Sequence, residues 1–383
     1  MRYIDQYDYN NKRVFLRVDL NVPVSNGRIL DDTRINKIIP TIKYLLDRNA
    51  KVIIASHFGR PKGEFDSKYS LEFISAELSR KIGKPVAFIK SISESFPSAE
   101  IVLLENLRFY PGEAKNDAEF ASQLASLADF YINDAFSCCH RAHASIVKIA
   151  EILPSAAGLL LQREIENLTA YLSSPQKPIM AIIGGSKVST KLELLYSLIK
   201  QVDYLVIGGA MANTFLKCQN IAIGKSLYEE DLLNKASDIL ANAGSCKIIL
   251  PQDVVVATEI AENASNCIVD IKNIPQDHLI LDIGPATCGQ INQILHSCKT
   301  VILNGPVGVF EYFPFSVGTV SIAREVAKLT KANQLISIAG GGDIVAALSK
   351  AGLFEQFSYI STAGGAFLEW LEGKSLPGLE ALN

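Results

Sequence analysis

PIMAIIGGSKVSTKLELLYSLIK, residues 178–200, sets the architecture of this chain. Ile179–Gly184 is an unbroken apolar run, the pattern of a strand buried on both faces of a parallel sheet. A glycine pair follows, Gly184-Gly185, and Lys191–Lys200 then reads as a helix. Strand, glycine turn and helix in that order form half of a βαβ unit, and the same grammar recurs on either side. Upstream, strands are expected at Val14–Val18, Lys51–Ala55, Val86–Ile89, Ile101–Leu104 and Asp129–Ile132. Downstream they are expected at Tyr204–Ile207, Lys247–Leu250, Leu279–Asp282, Thr300–Leu303 and Gln334–Ile338. Helices fall between them: one after Asp31-Asp32-Thr33, with Ile35, Ile38, Ile39, Ile42, Leu45 and Leu46 on one stripe, then Ser70–Ile82, Asp117–Ala128, Glu230–Ala243, Thr319–Leu329 and Asp343–Ala351. The fold class is α/β with parallel sheets.

A length of 383 residues exceeds what one core usually fills, so two domains are expected. The join is readable. Pro154 ends one element, Ala156–Leu172 reads as a single helix, and SSPQKP at 173–178 closes it. This gives a first domain over 1–155, a connecting helix over 156–173 and a second domain from 174. Hydrophobic residues make up 48% and charged residues 20%, enough for large cores without metal or disulfide support. A net charge of -3 argues against a general nucleic-acid binder. The seven cysteines form no C-x-x-C pair, so metal or redox use is not expected of them. The N-terminus carries acids and no apolar signal region, and no apolar run reaches membrane-spanning length. A cytoplasmic protein with no membrane partner is expected.

The two halves carry different chemistry. In the second, glycine clusters sit at strand ends: Gly184-Gly185, Gly208-Gly209, Gly305 with Gly308, Gly340-Gly341-Gly342 and Gly364-Gly365. One such pair marks no more than a tight turn. Several at the carboxyl ends of strands point to a nucleotide cleft, because glycine lets backbone N–H groups approach phosphate. Lys187 and Lys191 beside the first pair add cations for a polyphosphate, and they share a face if this is a helix's first turn. Neither familiar alternative fits. A P-loop ending at Gly224-Lys225-Ser226 lacks its first glycine, that position being Gln219, and no G-x-G-x-x-G occurs. The strand ends of the first half carry bases instead: Arg17, Arg34, His57, Arg60, Arg108, His140, Arg141 and His143, with Asp19 and Asn21 after the first strand. A lone arginine is ordinarily a solvated surface charge. A shared placement after apolar strands describes a basic cup for a small phosphorylated anion. The H-x-x-H of His140 and His143 lacks a further ligand and makes a weak metal site.

RVDLNVP at 17–23, SHFGRP at 56–61, ENLRF at 105–109, NDAF and HRAH between 133 and 143, GGSKVSTK at 184–191, LDIGPAT at 281–287, NGPVGVFE at 304–311, GGGD at 340–343 and STAGGAFLEWLEGKSLPG at 361–378 resemble phosphoglycerate kinases, in the family's order over almost the whole chain. The resemblance implies two Rossmann-like domains joined by a long helix, the second ending near 365 and a segment 366–383 packing back on the first. It implies a monomeric glycolytic enzyme moving a phosphoryl group reversibly between ATP/ADP and 3-phosphoglycerate/1,3-bisphosphoglycerate with Mg²⁺. It assigns 3-phosphoglycerate to Asp19, Asn21, Arg34, His57, Arg60, Arg108 and Arg141. The nucleotide goes to Gly184, Gly185, Lys187, Lys191, Gly208, Gly209, Leu281, Asn304, Pro306, Gly308, Glu311, Gly340, Gly341, Gly342, Asp343 and Ile344, with Glu311 on the ribose and Asp343 on Mg²⁺. Transfer itself falls to Arg34, Lys187, Lys191, Gly341 and Gly364. Hinges are expected in the connecting helix and in STAGG at 361–365. The chain departs from the family at Ile344, where threonine is usual, at Ala363, and at Ser137, Cys138 and Cys139. A silent ligand sensor on the same fold and a Rossmann-type dehydrogenase are the competing readings. The intact Arg34, Lys187, Lys191 and Asp343 speak against the first, and the missing dinucleotide fingerprint against the second.

Overall fold

The computed structural model describes residues 1–25, 27–94, 97–361 and 363–383. The chain divides into two compact units, residues 1–168 with 375–383, and residues 169–374.

The first unit holds β1 (Arg13–Arg17), the short hairpin β2 (Val24–Ser25) and β3 (Arg28–Ile29), β4 (Lys51–Ala55), β5 (Ala87–Ile89), β6 (Ile101–Leu104), β7 (Phe130–Asn133) and β8 (Ser155–Ala157). Six of these form a parallel sheet in the order β5-β6-β4-β1-β7-β8. Its helices are α1 (Thr33–Leu46), α2 (Glu72–Ile82), α3 (Pro111–Ala114), α4 (Ala118–Ser126), α5 (Lys148–Ile152) and the start of α6 (Leu159–Leu172). The stripe on α1 does what its spacing implies: Ile35, Ile38, Ile42 and Leu45 are buried against Val14, Leu16, Val52 and Ile54 of the sheet, while Ile39 and Leu46 are partly covered. Each such side chain contributes about 1.5–3 kcal/mol of burial.

The expected helix over 156–172 is shorter than its sequence suggests. Ser155, Ala156 and Ala157 form β8, an edge strand in register with Tyr131, Ile132 and Asn133. Asp134 then sets the helix start, because its Oδ1 accepts from the N–H groups of Leu160 (2.8 Å) and Leu161 (3.0 Å). Gly158 is needed at that corner, since a Cβ there would lie 2.4 Å from Asp134 Oδ1.

The second unit holds β9 (Ile179–Ile183), β10 (Tyr204–Ile207), β11 (Lys247–Ile249), β12 (Asp253–Ala257), β13 (Asn266–Asp270), β14 (Leu279–Ile283), β15 (Thr300–Asn304), β16 (Ile336–Gly340) and β17 (Tyr359–Ser361). Its parallel sheet runs β11-β10-β9-β15-β16-β17. The helices are α7 (Leu192–Leu198), α8 (Ala210–Cys218), α9 (Leu233–Ala241), α10 (Pro285–Leu295), α11 (Val317–Lys331), α12 (Gly342–Lys350) and α13 (Gly365–Leu371). Leu279–Asp282, grouped in sequence with the parallel strands, instead pairs antiparallel with β12 in a separate sheet ordered β13-β12-β14. β12 lies between β13 and β14 and runs antiparallel to both, so this small sheet stands outside the parallel β/α alternation. A bulge leaves Leu281 without a cross-strand partner: Val255 faces Asp282 and Val256 faces Ile280.

Residues 366–374 belong to the second unit rather than to a segment returning to the first. The ring of Phe367 occupies the space above Gly340, where a Cβ would lie 2.3 Å from it. Residues 375–383, which include α14 (Pro377–Glu380), complete the first unit. Leu376, Leu379 and Leu382 are buried there, Gly378 N donates to Cys139 O at 2.9 Å and Arg2 N to Leu382 O at 3.3 Å. Of the STAGG stretch, Thr362 lies outside the described residues.

Candidate functional site

Within the first unit, the ends of β1 and β4, the first turn of α1 and the loops after β6 and β7 converge on one basic cluster. Asp19 is its hub. Its Oδ2 accepts from Arg34 Nη1 at 2.7 Å and from the hydroxyl of Ser137, and Arg34 Nη1 also donates to Asn21 O at 3.0 Å. Burial pushes the Asp19 carboxyl up, but Arg34, the Ser137 hydroxyl and the Asn21 N–H outweigh it and hold it below the usual carboxylate range. Asn21 Oδ1 accepts from Gly59 N at 2.9 Å, and Arg108 Nη1 donates to Gly59 O at 2.6 Å. Asn106, fully buried, fixes the same loop by donating to Phe58 O (2.7 Å) and Tyr69 O (2.9 Å) while accepting from Phe58 N and Arg108 N. His57 is buried beside Arg17, with Nδ1 3.3 Å from Arg17 Nη2. Arg60 and Arg141 are exposed, and Arg141 is close enough to disfavour charge on His140 and His143. Arg34, half-buried and with most of its donors uncommitted, and Arg108 can bind an anion here. The described residues hold no group of three or more His, Cys, Asp or Glu suited to a metal.

Within the second unit, the glycine turns pack main chain on main chain. Gly184 N donates to Asn304 O (3.0 Å), Gly208 N to Ile183 O (2.9 Å), Gly209 N to Val307 O (2.9 Å) and Met211 N to Gly185 O (3.0 Å). A Cβ on Gly184 would lie 1.9 Å from Pro306 O, so this approach excludes any side chain. Gly185, Gly209, Leu281, Pro306, Gly308, Glu311 and Asp343 line a cavity of about 340 Å³. One wall is apolar, from Leu279, Ile280, Leu281, Val307 and Phe310, and the far end is glycine backbone and the start of α12. That division suits a flat base with a charged tail. The bulge in β14 turns Leu281 into the wall.

Lys187 and Lys191 do not share a helical face. Residues 184–191 form an irregular loop and α7 starts at Leu192. Lys187 is exposed, whereas Lys191 turns inward, its Nζ bonded to the carbonyl oxygens of Gly184 and of Asn304 (3.0 Å). Burial lowers the Lys191 ammonium to about 8 against the opposing pull of Asp343. Asn304 ties two strand ends together by donating from Nδ2 to Gly340 O, and Gly341 at φ +108 starts α12. The side chain of Ile344 is buried in the core of the unit. Gly364 caps α13 at φ +48 and is not among the described residues lining the cavity.

A family model described as phosphoglycerate kinase matches residues 4–374. The chain belongs to the phosphoglycerate kinase family. A protein named phosphoglycerate kinase in Methylorubrum extorquens (strain PA1) is 52% identical over 382 residues, covering 97% of this chain and 96% of that one. One of the same name in Ruegeria sp. (strain TM1040) is 50% identical, covering 99% and 98%. Among solved structures, phosphoglycerate kinase from Coxiella burnetii matches with a TM-score of 0.88 at 43% identity, covering 99% and 98%. That from Pyrococcus horikoshii OT3 matches with a TM-score of 0.85 at 31% identity, covering 100% and 98%.

Several side chains that build this family member's clusters carry no local signature. Glu229 accepts from both Ser189 N (3.0 Å) and Ser189 Oγ, pinning the loop that carries Lys187. Asp282, under the cavity floor, accepts from Gly318 N (2.7 Å) and Ile283 N (2.9 Å), and burial raises it to about 7. Glu113 and Ser145 lie behind Arg17. Apart from Asp282, which sits in LDIGPAT and also bonds its neighbour Ile283, each works across a long sequence separation, which no short motif reports.

Proposed function

We propose that this chain carries out the reaction of its family, reversible phosphoryl transfer between ATP/ADP and the carboxyl group of 3-phosphoglycerate, on the glycolytic route through 1,3-bisphosphoglycerate. The observation that carries this reading is the sorting of chemistry between the units. One holds a cluster of arginines around Asp19. The other holds a cavity with an apolar wall and a glycine-backbone end.

In this reading Arg34, Arg108, His57, Asn21 and Asp19 hold 3-phosphoglycerate, with the exposed Arg60 and Arg141 reaching its phosphate. The apolar wall around Leu281 receives adenine and Glu311 the ribose. The amides of Gly185 and Gly209 and the start of α12 at Gly341–Asp343 receive the phosphates, with Lys187 and Lys191 beside them. The attacking group is a carboxylate, so no general base is required. Catalysis consists of in-line placement and neutralisation of the transferring group. Asp343 would hold Mg²⁺. It is an exposed hard oxygen donor at the cavity, near the buried Lys191 ammonium, and one carboxylate fits an ion that takes its remaining ligands from phosphate and water. When bound, Mg²⁺ supplies charge neutralisation across the phosphates.

Since each ligand belongs to a different unit, we further propose that joint binding draws the units together, with the connecting helix and STAGG at 361–365 as hinges. A reduction in radius of gyration with both ligands, and not with either alone, is the expected scattering result. We also place the enzyme in the cytoplasm as a monomer. Among the described residues no helix is long and apolar enough to cross a membrane, and all seven cysteines are free. Light scattering on the purified chain tests the monomer.

A coupled assay with ATP and 3-phosphoglycerate, with and without Mg²⁺, tests the main reading. Turnover that needs all three is expected. Ligand binding without turnover would instead identify a sensor.

A further inference from the structure

Arg17 is the largest fully buried side chain of the protein. Its Nε donates to Ser145 Oγ at 2.9 Å, its Nη1 to Val18 O, and its Nη2 faces His57 Nδ1 at 3.3 Å and Cys138 Sγ at 3.8 Å. Behind Ser145 stands Glu113, also fully buried, which accepts from Ser145 Oγ (2.6 Å) through Oε1 and from Ser145 N (3.0 Å) through Oε2. The order Glu113, Ser145, Arg17, His57 is therefore a chain with a fixed direction. A carboxylate only accepts, so the serine hydroxyl must donate to it. That leaves the serine oxygen to accept from Arg17 Nε. A guanidinium only donates, so His57 Nδ1 must be the acceptor.

We propose that Glu113 and Ser145, acting through Arg17, hold His57 in the single neutral tautomer that carries its hydrogen on Nε2, so that the ring meets the substrate as a hydrogen-bond donor and not as a cation. Glu113 and Ser145 are positioning residues in this scheme. It rests on the reading of the cluster as the 3-phosphoglycerate site.

The surroundings of His57 agree. An imidazolium would have to break with Arg17 and sit among the guanidinium groups of Arg17, Arg34 and Arg108. Asp19 is the one carboxylate that favours its charge, and that group is already engaged by Arg34 at 2.7 Å and by Ser137. The thiol of Cys138, 3.8 Å from Nδ1, can donate to the same nitrogen. Burial, then the three arginines, push the ring well below the usual histidine range. His143, the other imidazole near Glu113, lies 3.7 Å from Oε1, beyond hydrogen-bond reach, and burial with Arg17, Arg108 and Arg141 keeps it neutral, at about 3. It does not divert the carboxylate. With Nδ1 turned to Arg17 and Cys138 and 5% of the residue still exposed, Nε2 is the nitrogen left for a ligand.

The test is long-range ¹H–¹⁵N correlation on the full chain labelled with ¹⁵N-histidine. The His57 signals are identified by their loss in His57→Gln. The expected result is a bare Nδ1 and a hydrogen-bearing Nε2, unchanged from pH 8 to pH 5.5. A hydrogen on Nδ1, or an imidazolium signal by pH 6, would overturn the proposal. Ser145→Ala removes the partner of Arg17 Nε. A second, Nδ1-protonated population should appear, with KM for 3-phosphoglycerate raised about three- to tenfold, the loss of one well-placed hydrogen bond. KM for ATP should hold. Ser145→Thr, which keeps the hydroxyl, should restore both. An unchanged tautomer in a folded Ser145→Ala protein would also refute the relay. Should the tautomer behave as described while added 3-phosphoglycerate leaves the His57 signals unmoved, the relay is supported and the assignment of that ligand to this cluster fails.

Discussion

Gly209→Ala should cripple nucleotide use while leaving the other substrate alone. Gly209 sits at φ +66 and ψ −168, a conformation essentially reserved for glycine, where an alanine costs about 1–3 kcal/mol for the backbone alone. The added Cβ would also lie 2.6 Å from Gly185 O, 2.7 Å from Gly185 N and 3.2 Å from Pro306 O. All three are main-chain atoms, with no flexible side-chain end to swing aside. The shortest contact falls about 0.8 Å inside ordinary van der Waals distance. The Gly185 turn must therefore move, and the bond from Met211 N to Gly185 O, 3.0 Å at present, must stretch with it. A shift approaching 1 Å in groups that place a phosphate lowers rate by roughly 100-fold. The expected result is a kcat/KM for ATP reduced about 30- to 100-fold and a melting temperature lowered by roughly 4–10 °C for about 2–3 kcal/mol of strain. KM for 3-phosphoglycerate should be unchanged. Gly289→Ala is the control. Gly289 lies exposed inside α10 with nothing within 4 Å of its missing Cβ, so alanine there should stabilise by about 0.5–1 kcal/mol and leave kinetics alone. A Gly209→Ala enzyme with the parent's KM for ATP and melting temperature would refute the claim that these turns hold the phosphates by close backbone approach.

Asp134→Asn should be tolerated, and its benefit should depend on pH. Burial raises the Asp134 carboxyl to about 6, above its unfolded value near 3.8, so its contribution to stability is whole in acid and is lost as pH rises through 6. Both capping bonds go to Oδ1 while Oδ2 has no partner, so the amide keeps the cap. Calorimetry should show the variant melting above the parent at pH 7.5 and the gap closing toward pH 4; a gap independent of pH contradicts the assignment. Arg34→Ala removes the cation that faces Asp19 and should cut turnover by two orders of magnitude or more, on the order of 3 kcal/mol in the barrier, with ADP affinity by calorimetry within about twofold of the parent. Loss of ADP binding with normal turnover would place Arg34 elsewhere. Asp343→Ala should erase the activation of turnover by Mg²⁺, and an unchanged Mg²⁺ titration would remove that carboxylate from the metal.

The parts of the fold that were legible in sequence are those where one residue type repeats for one physical reason. Ile179–Ile183 and Val301–Leu303 are apolar throughout because both faces are covered, and all their residues are buried. The antiparallel sheet was not legible in the same way. β13 is mostly exposed, so Asn266–Asp270 shows no apolar alternation, and β12 has no pattern that tells an antiparallel from a parallel partner. The cut at Gly158 depends on Asp134, whose reach to Leu160 crosses a sequence gap that periodicity does not see. The site divides likewise. Arg34, His57 and the glycine turns stand at strand and helix ends and advertise themselves there. Ser145, Glu113 and Glu229 act from behind, and nothing in their immediate neighbours marks them. Lys187 and Lys191 were legible as cations beside glycine but not as a pair of unlike residues, one in solvent and one bonded to carbonyls.

The first unit is assembled from the beginning of the chain and from residues 375–383, while the second is continuous from 169 to 374. A ribosome makes the chain from the N-terminus, so the order of synthesis is not the order of completion. The second unit has all its strands before the piece that seals the first is made. Until Gly378 can donate to Cys139 O and lie against Ile146, the loop that carries Ser137 and Cys138 lacks its cover, although the residues of the basic cluster were synthesised long before. Nascent chains halted between residues 340 and 374 should therefore present a protease with an unsealed stretch around 135–147. That stretch should become resistant when the last segment is supplied, even as a separate peptide.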